Sequence, residues 1–175
     1  MLRLLVSPRV VSAALWMPAY VALGSNLDDP PRQIAAAFAQ LEALDSCRLI
    51  ARSRLYRTAP LGPQDQPEFV NAAAGLLTVL EPRDLLRALK RIEAELGRAQ
   101  PVVRWGPRRI DLDLLLLDDV RMAEPDLTIP HPGLTRRNFV LYPLRDIAPE
   151  LLVPGEGRVD VLAARAGSEG LALLA

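Results

Sequence analysis

Apolar and polar positions along the chain predict short strands separated by two amphipathic helices. Residues 19–23 form an apolar run that stops at a Gly-Ser-Asn turn, which is typical of a short strand. Asp28 or Asp29 can then cap a helix with two prolines in its first turn and apolar residues at helical spacing. Pro82 opens a second helix with a leucine-rich stripe, and Gly97 closes it.

Later segments complete the order of elements. Alternation over residues 48–58 predicts one strand, and small and β-branched residues over 69–80 predict another. Residues 110–117 form a further strand, 138–144 a strand or turn, and 159–166 a last short helix. The order β-α-β-β-α-β is that of a split-βαβ, ferredoxin-like sheet covered by helices.

Two loops differ in character from the rest of the chain. Residues 59–67 hold three prolines and a glycine, so their backbone is restricted. Residues 98–109 are polar, have no periodicity and carry four arginines. We expect the first loop to be rigid.

The length, net charge and residue counts of the chain exclude several classes of function. At 175 residues and 19.2 kDa, the chain is long enough for one domain with a sizeable core. The 21 basic and 21 acidic residues cancel, so no general field attracts nucleic acid or an anionic membrane. One cysteine excludes an intramolecular disulfide, and a single histidine makes a zinc site of the Cys/His type implausible. No Walker A or dinucleotide-binding glycine motif is present.

The first eighteen residues are expected to be an extension that is disordered or lies upstream of a true start at Met17. Residues 19–175 would then form a single catalytic domain. A secretory signal is the alternative, but Pro8 and Arg9 break its apolar run. No later segment has the length to span a bilayer.

Two carboxylates at the start of the strand 110–117 are the sharpest chemical feature. Asp111 and Asp113 would share one face of that strand, with Leu115 and Leu117, while Leu114 and Leu116 lie on the other. Like charges on a buried strand are costly unless a cation lies between them, and Mg²⁺ takes one or two carboxylates plus substrate phosphates. The alternative is an exposed strand end at which each aspartate pairs with an arginine.

A second cluster suits a flat heterocycle. Phe69 and Asn71 are two apart on a strand and therefore share a face, so a ring and an amide lie side by side. The alternative is that Phe69 is a core residue, which is the more common role of a phenylalanine on a strand. Trp105 lies in the arginine loop, and His131 is held between two prolines.

These segments resemble the 6-hydroxymethyl-7,8-dihydropterin pyrophosphokinase family of the folate pathway. The resemblance covers residues 19–155, in family order and spacing, and residues 104–113 (RWGPRRIDLD) carry its most specific signature. It implies an α+β fold: a ferredoxin-like antiparallel sheet with helices on both faces, as a three-layer α/β/α sandwich. It also implies transfer of pyrophosphate from ATP to the pterin hydroxymethyl group, releasing AMP, with two Mg²⁺ ions.

The resemblance also assigns roles to residues by position. Asp111 and Asp113 match the metal ligands, and the catalytic arginines are Arg98, Arg104 and Arg108. The pterin-binding residues are Gly24, Thr58, Leu61, Phe69, Asn71, Trp105 and Phe139. The ATP-binding residues are Glu93, Leu114, Thr128, His131 and Arg137. We expect a cytoplasmic monomer that acts on small molecules, without a nucleic-acid or membrane partner.

Departures from the family pattern bear on rate and nucleotide affinity. Gln100 and Pro101 stand where some members have basic residues, and Asp126 stands where some place an arginine that contacts ATP.

Two other classes of function stay open on the residues alone. A nucleic-acid module would need more aromatics and a basic surplus, and a metal-dependent phosphohydrolase would leave Phe69 and Asn71 unexplained.

Overall fold

The computed structural model describes residues 15–97 and 105–174. Its strands are β1 (Met17–Ser25), β2 (Cys47–Arg52), β3 (Tyr56–Thr58), β4 (Phe69–Thr78), β5 (Asp111–Leu117), β6 (Met122–Ala123), β7 (Thr128–Ile129), β8 (Leu152–Val153), β9 (Gly157–Arg158) and β10 (Leu171–Leu173). Its helices are α1 (Pro30–Glu42), α2 (Pro82–Glu95), α3 (Asn138–Ile147) and α4 (Val159–Ala166), with a 3₁₀ turn at Leu134–Arg136.

The main sheet is antiparallel and is built around β1 and β4. β1 pairs with β4 on one side and with β5 on the other. β2 and β3 share the far edge of β4, each covering one half of it, and β10 extends the sheet beyond β3. Taking β2 and β3 as one interrupted strand, this is the strand arrangement of a split βαβ fold. The predicted fold class is confirmed.

Helices cover both faces of this sheet, so the chain has two apolar cores. α1 and α2 pack on one face, where Val21, Leu76 and Leu112 are among the buried residues. α3 packs on the opposite face, together with α4, around Leu115, Leu141 and other apolar residues. The three-layer arrangement predicted for the chain is therefore present.

The predicted start of α1 and the predicted end of α2 are both explained by local chemistry. Asp29 caps α1 with a side-chain oxygen that accepts the Arg32 N–H at 3.4 Å, and two prolines follow it. After α2, Gly97 has φ of +82°, a left-handed conformation that glycine adopts without a Cβ clash.

The single strand predicted over 48–58 is wrong, because the structure has two strands with a break between them. Ser53 Oγ accepts the Ala73 N–H at 2.8 Å, so a side chain takes the place of a backbone acceptor. The next N–H, of Arg54, donates to the Asp146 carboxylate at 3.2 Å rather than to β4. The chain therefore leaves the sheet between β2 and β3.

The strand or turn predicted over 138–144 is also wrong, since α3 occupies this segment. Val140, Leu141 and Leu144 lie at helical spacing and are all buried in the second core. The apolar run is short and contains Pro143, so the spacing of its apolar residues was not enough to distinguish a helix from a strand.

Two leucines of β5 lie on the faces opposite to those predicted. The pairing of β5 with β1 shifts register between Tyr20 and Val21, as it does at a β-bulge. Beyond the shift, Leu116 packs in the core under α3, whereas Leu117 packs in the core under α1 and α2.

The first strand also begins at Met17, before the predicted start at Ala19. In the described part of the chain, no helix is long and apolar enough to cross a membrane.

Candidate active site

A cavity of about 490 Å³ opens on the sheet face that α3 covers. Twelve of the predicted site residues line it: Gly24, Thr58, Leu61, Phe69, Asn71, Trp105, Arg108, Asp111, Asp113, His131, Arg137 and Phe139. They come from four adjacent strands, α3 and three loops, which the fold brings to one place.

The remaining predicted site residues lie elsewhere. Arg98 and Arg104 fall outside the described residues. Leu114 is buried in the core under α1 and α2, on the face of β5 away from the cavity. Thr128 pairs with Ala123 in a two-stranded ribbon, outside the cavity lining. Glu93 is buried as well, and its carboxylate binds the backbone of β5.

One row of residues across the sheet organises the site. In register, Gly24 of β1 lies opposite Asn71 of β4 on one side and opposite Asp111 of β5 on the other. Paired residues of neighbouring strands project from the same face, so the amide and the carboxylate flank a position without a side chain. Two strand spacings separate them by roughly 10 Å, which is room for a bicyclic ring.

The two carboxylates of β5 face the cavity, as the alternation predicted. Burial raises the pKa of Asp113 above its usual value, and the charge of Asp111 acts in the same direction. Lys90, His131 and Arg108 oppose this shift. Such a pair gains from a divalent cation, because the cation offsets both the repulsion and the lost hydration. The donor set therefore fits Mg²⁺ with phosphate oxygens as its further ligands.

Arg108 contacts both halves of the site. Its Nη1 donates to Asp111 Oδ2 at 2.5 Å, and its guanidinium carbon lies 5.5 Å from the centre of the Phe69 ring. A guanidinium over an aromatic face is a cation–π contact. One arginine thus neutralises a carboxylate and covers an aromatic surface at the same time.

A second arginine makes similar contacts with two other aromatic rings of the cavity. The guanidinium carbon of Arg137 lies 5.4 Å from the Trp105 ring centre and 6.0 Å from that of Phe139. All three aromatic rings of the cavity, Phe69, Trp105 and Phe139, therefore have an arginine beside them. Since guanidinium and heterocycle stack on the same ring faces, a bound heterocycle would replace these contacts.

The Asn71 side-chain amide is oriented so that it can hydrogen-bond to the polar edge of a bound ligand. Its Nδ2 donates to Thr58 Oγ1 at 2.9 Å, and both side chains are buried. A Cβ at Gly24 would lie 3.6 Å from Asn71 Oδ1, so this oxygen faces the open position of the row. The amide orientation follows from this hydrogen bond.

Asn26 ties together the segments around the cavity. Its Nδ2 donates to the Pro67 carbonyl at 2.9 Å and to Gln66 Oε1 at 3.1 Å. Its Oδ1 accepts the Arg108 N–H at 2.8 Å, and its own N–H donates to the Arg108 carbonyl at 3.0 Å. Sequence reasoning missed this role, because Asn26 looks like an ordinary turn residue.

The proline-rich loop also packs against the segment that carries Trp105. A Cβ at Gly62 would meet the Trp105 Cβ at 2.6 Å, so only glycine permits this approach. Gln66 Nε2 donates to the Trp105 carbonyl at 2.8 Å. The loop and the tryptophan therefore form one wall of the cavity.

His131 is fixed in a defined tautomer. Its Nδ1 accepts the Gly133 N–H at 3.0 Å, so the proton of the neutral ring is on Nε2. Burial lowers the pKa of His131; Asp113 opposes this and Arg137 adds to it. The ring is thus a neutral N–H donor at the cavity wall.

Lys90 also lines the cavity and was not among the predicted site residues. Its ammonium donates to the Glu93 carboxylate at 2.7 Å and to the Leu112 carbonyl at 3.1 Å. The available signal was that it is the only lysine, three residues before a glutamate on the same helix.

A known protein family matches most of the chain, including the residues that line this cavity. The family model described as 7,8-dihydro-6-hydroxymethylpterin-pyrophosphokinase (HPPK) matches residues 20–149. The chain belongs to the HPPK family. It is accordingly an enzyme, a pyrophosphokinase.

Relatives across bacteria support this assignment of the chain to the HPPK family. A 2-amino-4-hydroxy-6-hydroxymethyldihydropteridine pyrophosphokinase of Pseudomonas aeruginosa is 50% identical over 152 residues, covering 87% of this chain and 93% of the relative. A protein of the same name from Haemophilus influenzae is 46% identical over 136 residues, covering 78% of this chain and 84% of the relative.

Solved structures share the HPPK fold. A crystal structure of Plasmodium falciparum HPPK-DHPS A437G superposes with a TM-score of 0.68 at 16% identity. The match covers 89% of this chain and 46% of that longer chain. At this identity the likeness concerns the fold alone.

Proposed function

We propose that this HPPK transfers the pyrophosphoryl group of ATP to the hydroxymethyl group of 6-hydroxymethyl-7,8-dihydropterin. The products are AMP and the pterin diphosphate, an intermediate of folate biosynthesis. The observation that supports the proposal is the row Asn71–Gly24–Asp111: an amide that suits a heterocycle and a carboxylate that suits a metal–phosphate complex line one cavity. The hydroxyl oxygen attacks the β-phosphorus, the bond to the α–β bridging oxygen breaks, and the hydroxyl proton goes to solvent.

The pterin end of the cavity would be formed by Phe69, Asn71 and Phe139. The rings of Phe69 and Phe139 provide stacking surfaces once the arginines leave them, and Asn71 Oδ1 accepts from the pterin edge. Thr58 orients that amide. Gly24, Leu61 and Trp105 complete the wall around the ring.

The phosphate end would be formed by groups that donate hydrogen bonds to anions. His131 offers its Nε2–H, and Arg137 offers a guanidinium that would move from Trp105 to a phosphate. Leu114 and Thr128 do not line the cavity, and we propose them as nucleotide contacts from their family positions alone.

Asp111 and Asp113 would hold two Mg²⁺ ions with the ATP phosphates. When bound, Mg²⁺ neutralises phosphate charge and polarises the β-phosphoryl group. Arg108 moves from Asp111 to the transferring group, where it offsets developing charge together with Arg98 and Arg104. We infer that this proceeds without a protein general base.

We further infer that the chain acts as a cytoplasmic monomer, without nucleic acid or membrane as partners. Its net charge of zero supports this, because neither partner would be attracted. Size-exclusion chromatography with light scattering, with and without ATP and Mg²⁺, tests the monomer directly.

The experiment that tests the activity uses purified protein, Mg²⁺, ATP and 6-hydroxymethyl-7,8-dihydropterin, with adenine nucleotides followed by chromatography. We expect AMP only when the pterin is present. Phe69→Ala should raise the KM for pterin and leave the KM for ATP nearly unchanged. ADP formation, or ATP hydrolysis that does not depend on pterin, would contradict the proposal.

A further inference from the structure

β5 is an edge strand of the main sheet, with β1 on its inner side. An edge strand presents backbone N–H and C=O groups that have no neighbouring strand, and these groups need other partners when they are buried. At Leu112 both groups find side chains of α2. The Leu112 N–H donates to Glu93 Oε1 at 2.6 Å, and the Leu112 carbonyl accepts from Lys90 Nζ at 3.1 Å.

Glu93 and Lys90 also bind each other, so they act as a unit. Lys90 Nζ donates to the same Oε1 atom of Glu93 at 2.7 Å. The Glu93 side chain is only 4% exposed, whereas that of Lys90 is 44% exposed at the cavity. Their i,i+3 spacing puts both on one face of α2. Together they take the place that a further strand would occupy beside Leu112.

Leu112 is the residue between the two cavity carboxylates. Successive side chains of a strand project from opposite faces, so the orientation of the peptide groups of Leu112 sets the direction of Asp111 and Asp113. A rotation of this segment would turn both carboxylates away from a shared ligand. The segment has β1 on one side and the Glu93–Lys90 pair on the other.

We propose that Glu93 and Lys90 are positioning residues, which aim Asp111 and Asp113 through the backbone of Leu112. This inference rests on the proposed function, in which the two aspartates hold the metal–nucleotide complex. It replaces the nucleotide contact predicted for Glu93, because that carboxylate is buried against β5 and does not line the cavity.

The test measures metal binding directly, with Mn²⁺ as the probe and α,β-methylene-ATP as the nucleotide, by electron paramagnetic resonance. Glu93→Ala removes the acceptor of the Leu112 N–H. We expect Mn²⁺ affinity to fall by about 10- to 100-fold, the range seen when partners of metal ligands are removed. Amide hydrogen exchange at Leu112 should become faster in the same variant.

Glu93→Gln is the conservative variant, because its amide oxygen can still accept the Leu112 N–H. It should therefore keep most of the Mn²⁺ affinity that Glu93→Ala loses. Glu95→Ala is the matched control: Glu95 lies on the same helix, is half exposed, and pairs with Arg91 away from the cavity. It should leave Mn²⁺ affinity and Leu112 exchange unchanged.

Lys90→Met provides a second route, since it removes the donor to the Leu112 carbonyl at a half-exposed position. It should make amide hydrogen exchange at Leu112 faster, with the fold intact by circular dichroism. Mn²⁺ affinity is compared only among the Glu93 variants, because Lys90→Met also removes a positive charge near Asp113. Unchanged Mn²⁺ affinity in folded Glu93→Ala, or unchanged Leu112 exchange in folded Lys90→Met, would overturn the inference. The parent protein separates the two claims: Mn²⁺ binding without pterin-dependent AMP would refute the proposed function, while the variants would still decide the positioning role.

Discussion

Arg108 Nη1 lies 2.5 Å from Asp111 Oδ2, so a guanidinium is bound to the carboxylate that a metal–nucleotide complex would need. The same guanidinium lies over Phe69, a stacking surface for the pterin. Arg108 thus contacts both the carboxylate proposed to bind the metal–nucleotide complex and the ring proposed to stack on the pterin. Its release from Asp111 would couple metal binding at one end of the cavity to exposure of the aromatic ring at the other.

Arg108→Gln should therefore separate metal binding from turnover. Without nucleotide, Mn²⁺ should bind several-fold more tightly, because a competing cation has gone from Asp111. Turnover should fall by roughly 100-fold, as for a removed transition-state donor. Arg109→Gln is the control, since Arg109 pairs with Asp28 outside the cavity. Weaker Mn²⁺ binding in Arg108→Gln would show that the arginine does not compete for this site.

Asp113→Asn keeps the shape of the side chain and removes its charge. We expect a loss of several kcal/mol of transition-state stabilisation, the order expected when a metal ligand is lost. The measurement is kcat/KM for ATP at saturating pterin, with Asp118→Asn, just beyond β5, as the control. Turnover within tenfold of the parent would remove Asp113 from the metal site.

Asn26→Ala should destabilise the chain and loosen the site together. The substitution removes three side-chain hydrogen bonds and leaves the Arg108 N–H without its acceptor. The free energy of unfolding should fall by about 2 kcal/mol, in the range for buried groups left unpaired. Urea unfolding measures it. Asn138→Ala, which loses one exposed hydrogen bond to the Glu169 carbonyl, should change stability little.

Asp146 should make stability depend on pH in a defined direction. Burial would raise its pKa, but hydrogen bonds from Arg54 and Tyr56 outweigh this and hold the pKa below its usual value. A depressed pKa stabilises the fold above the unfolded value of about 3.9 and loses that effect as pH falls through the folded value.

The matching measurement compares Asp146→Asn with the parent protein by urea unfolding between pH 7 and pH 3. The variant should be less stable at pH 7 and at pH 5, and the difference should shrink below about pH 4 as Asp146 protonates in the parent. A difference that stays constant over the whole range would mean that the charge of Asp146 contributes nothing.

Local patterns in the sequence were enough to predict the elements whose signals are local. The cap and prolines of α1 and the alternation that aims Asp111 and Asp113 at one face are set by neighbouring residues. The exchanged faces of Leu116 and Leu117 could not be predicted, because the bulge arises from pairing with β1.

The parts of the site that were missed depend on contacts between distant segments. Asn26 bonds to residues 40, 41 and 82 positions away, and nothing around it in the sequence signals this. Lys90 and Glu93 are separated from Leu112 by 22 and 19 positions. Their roles exist only once α2 packs beside β5.

The most direct test of the central claim follows the β-phosphate of ATP. Purified protein is incubated with Mg²⁺, 6-hydroxymethyl-7,8-dihydropterin and ATP labelled at the β-phosphorus, and the products are separated by chromatography. Pyrophosphoryl transfer predicts one labelled pterin diphosphate for each unlabelled AMP. Label retained in ADP would indicate transfer of the γ-phosphoryl group alone, and label in free pyrophosphate would indicate hydrolysis. Either result would contradict the account of this cavity.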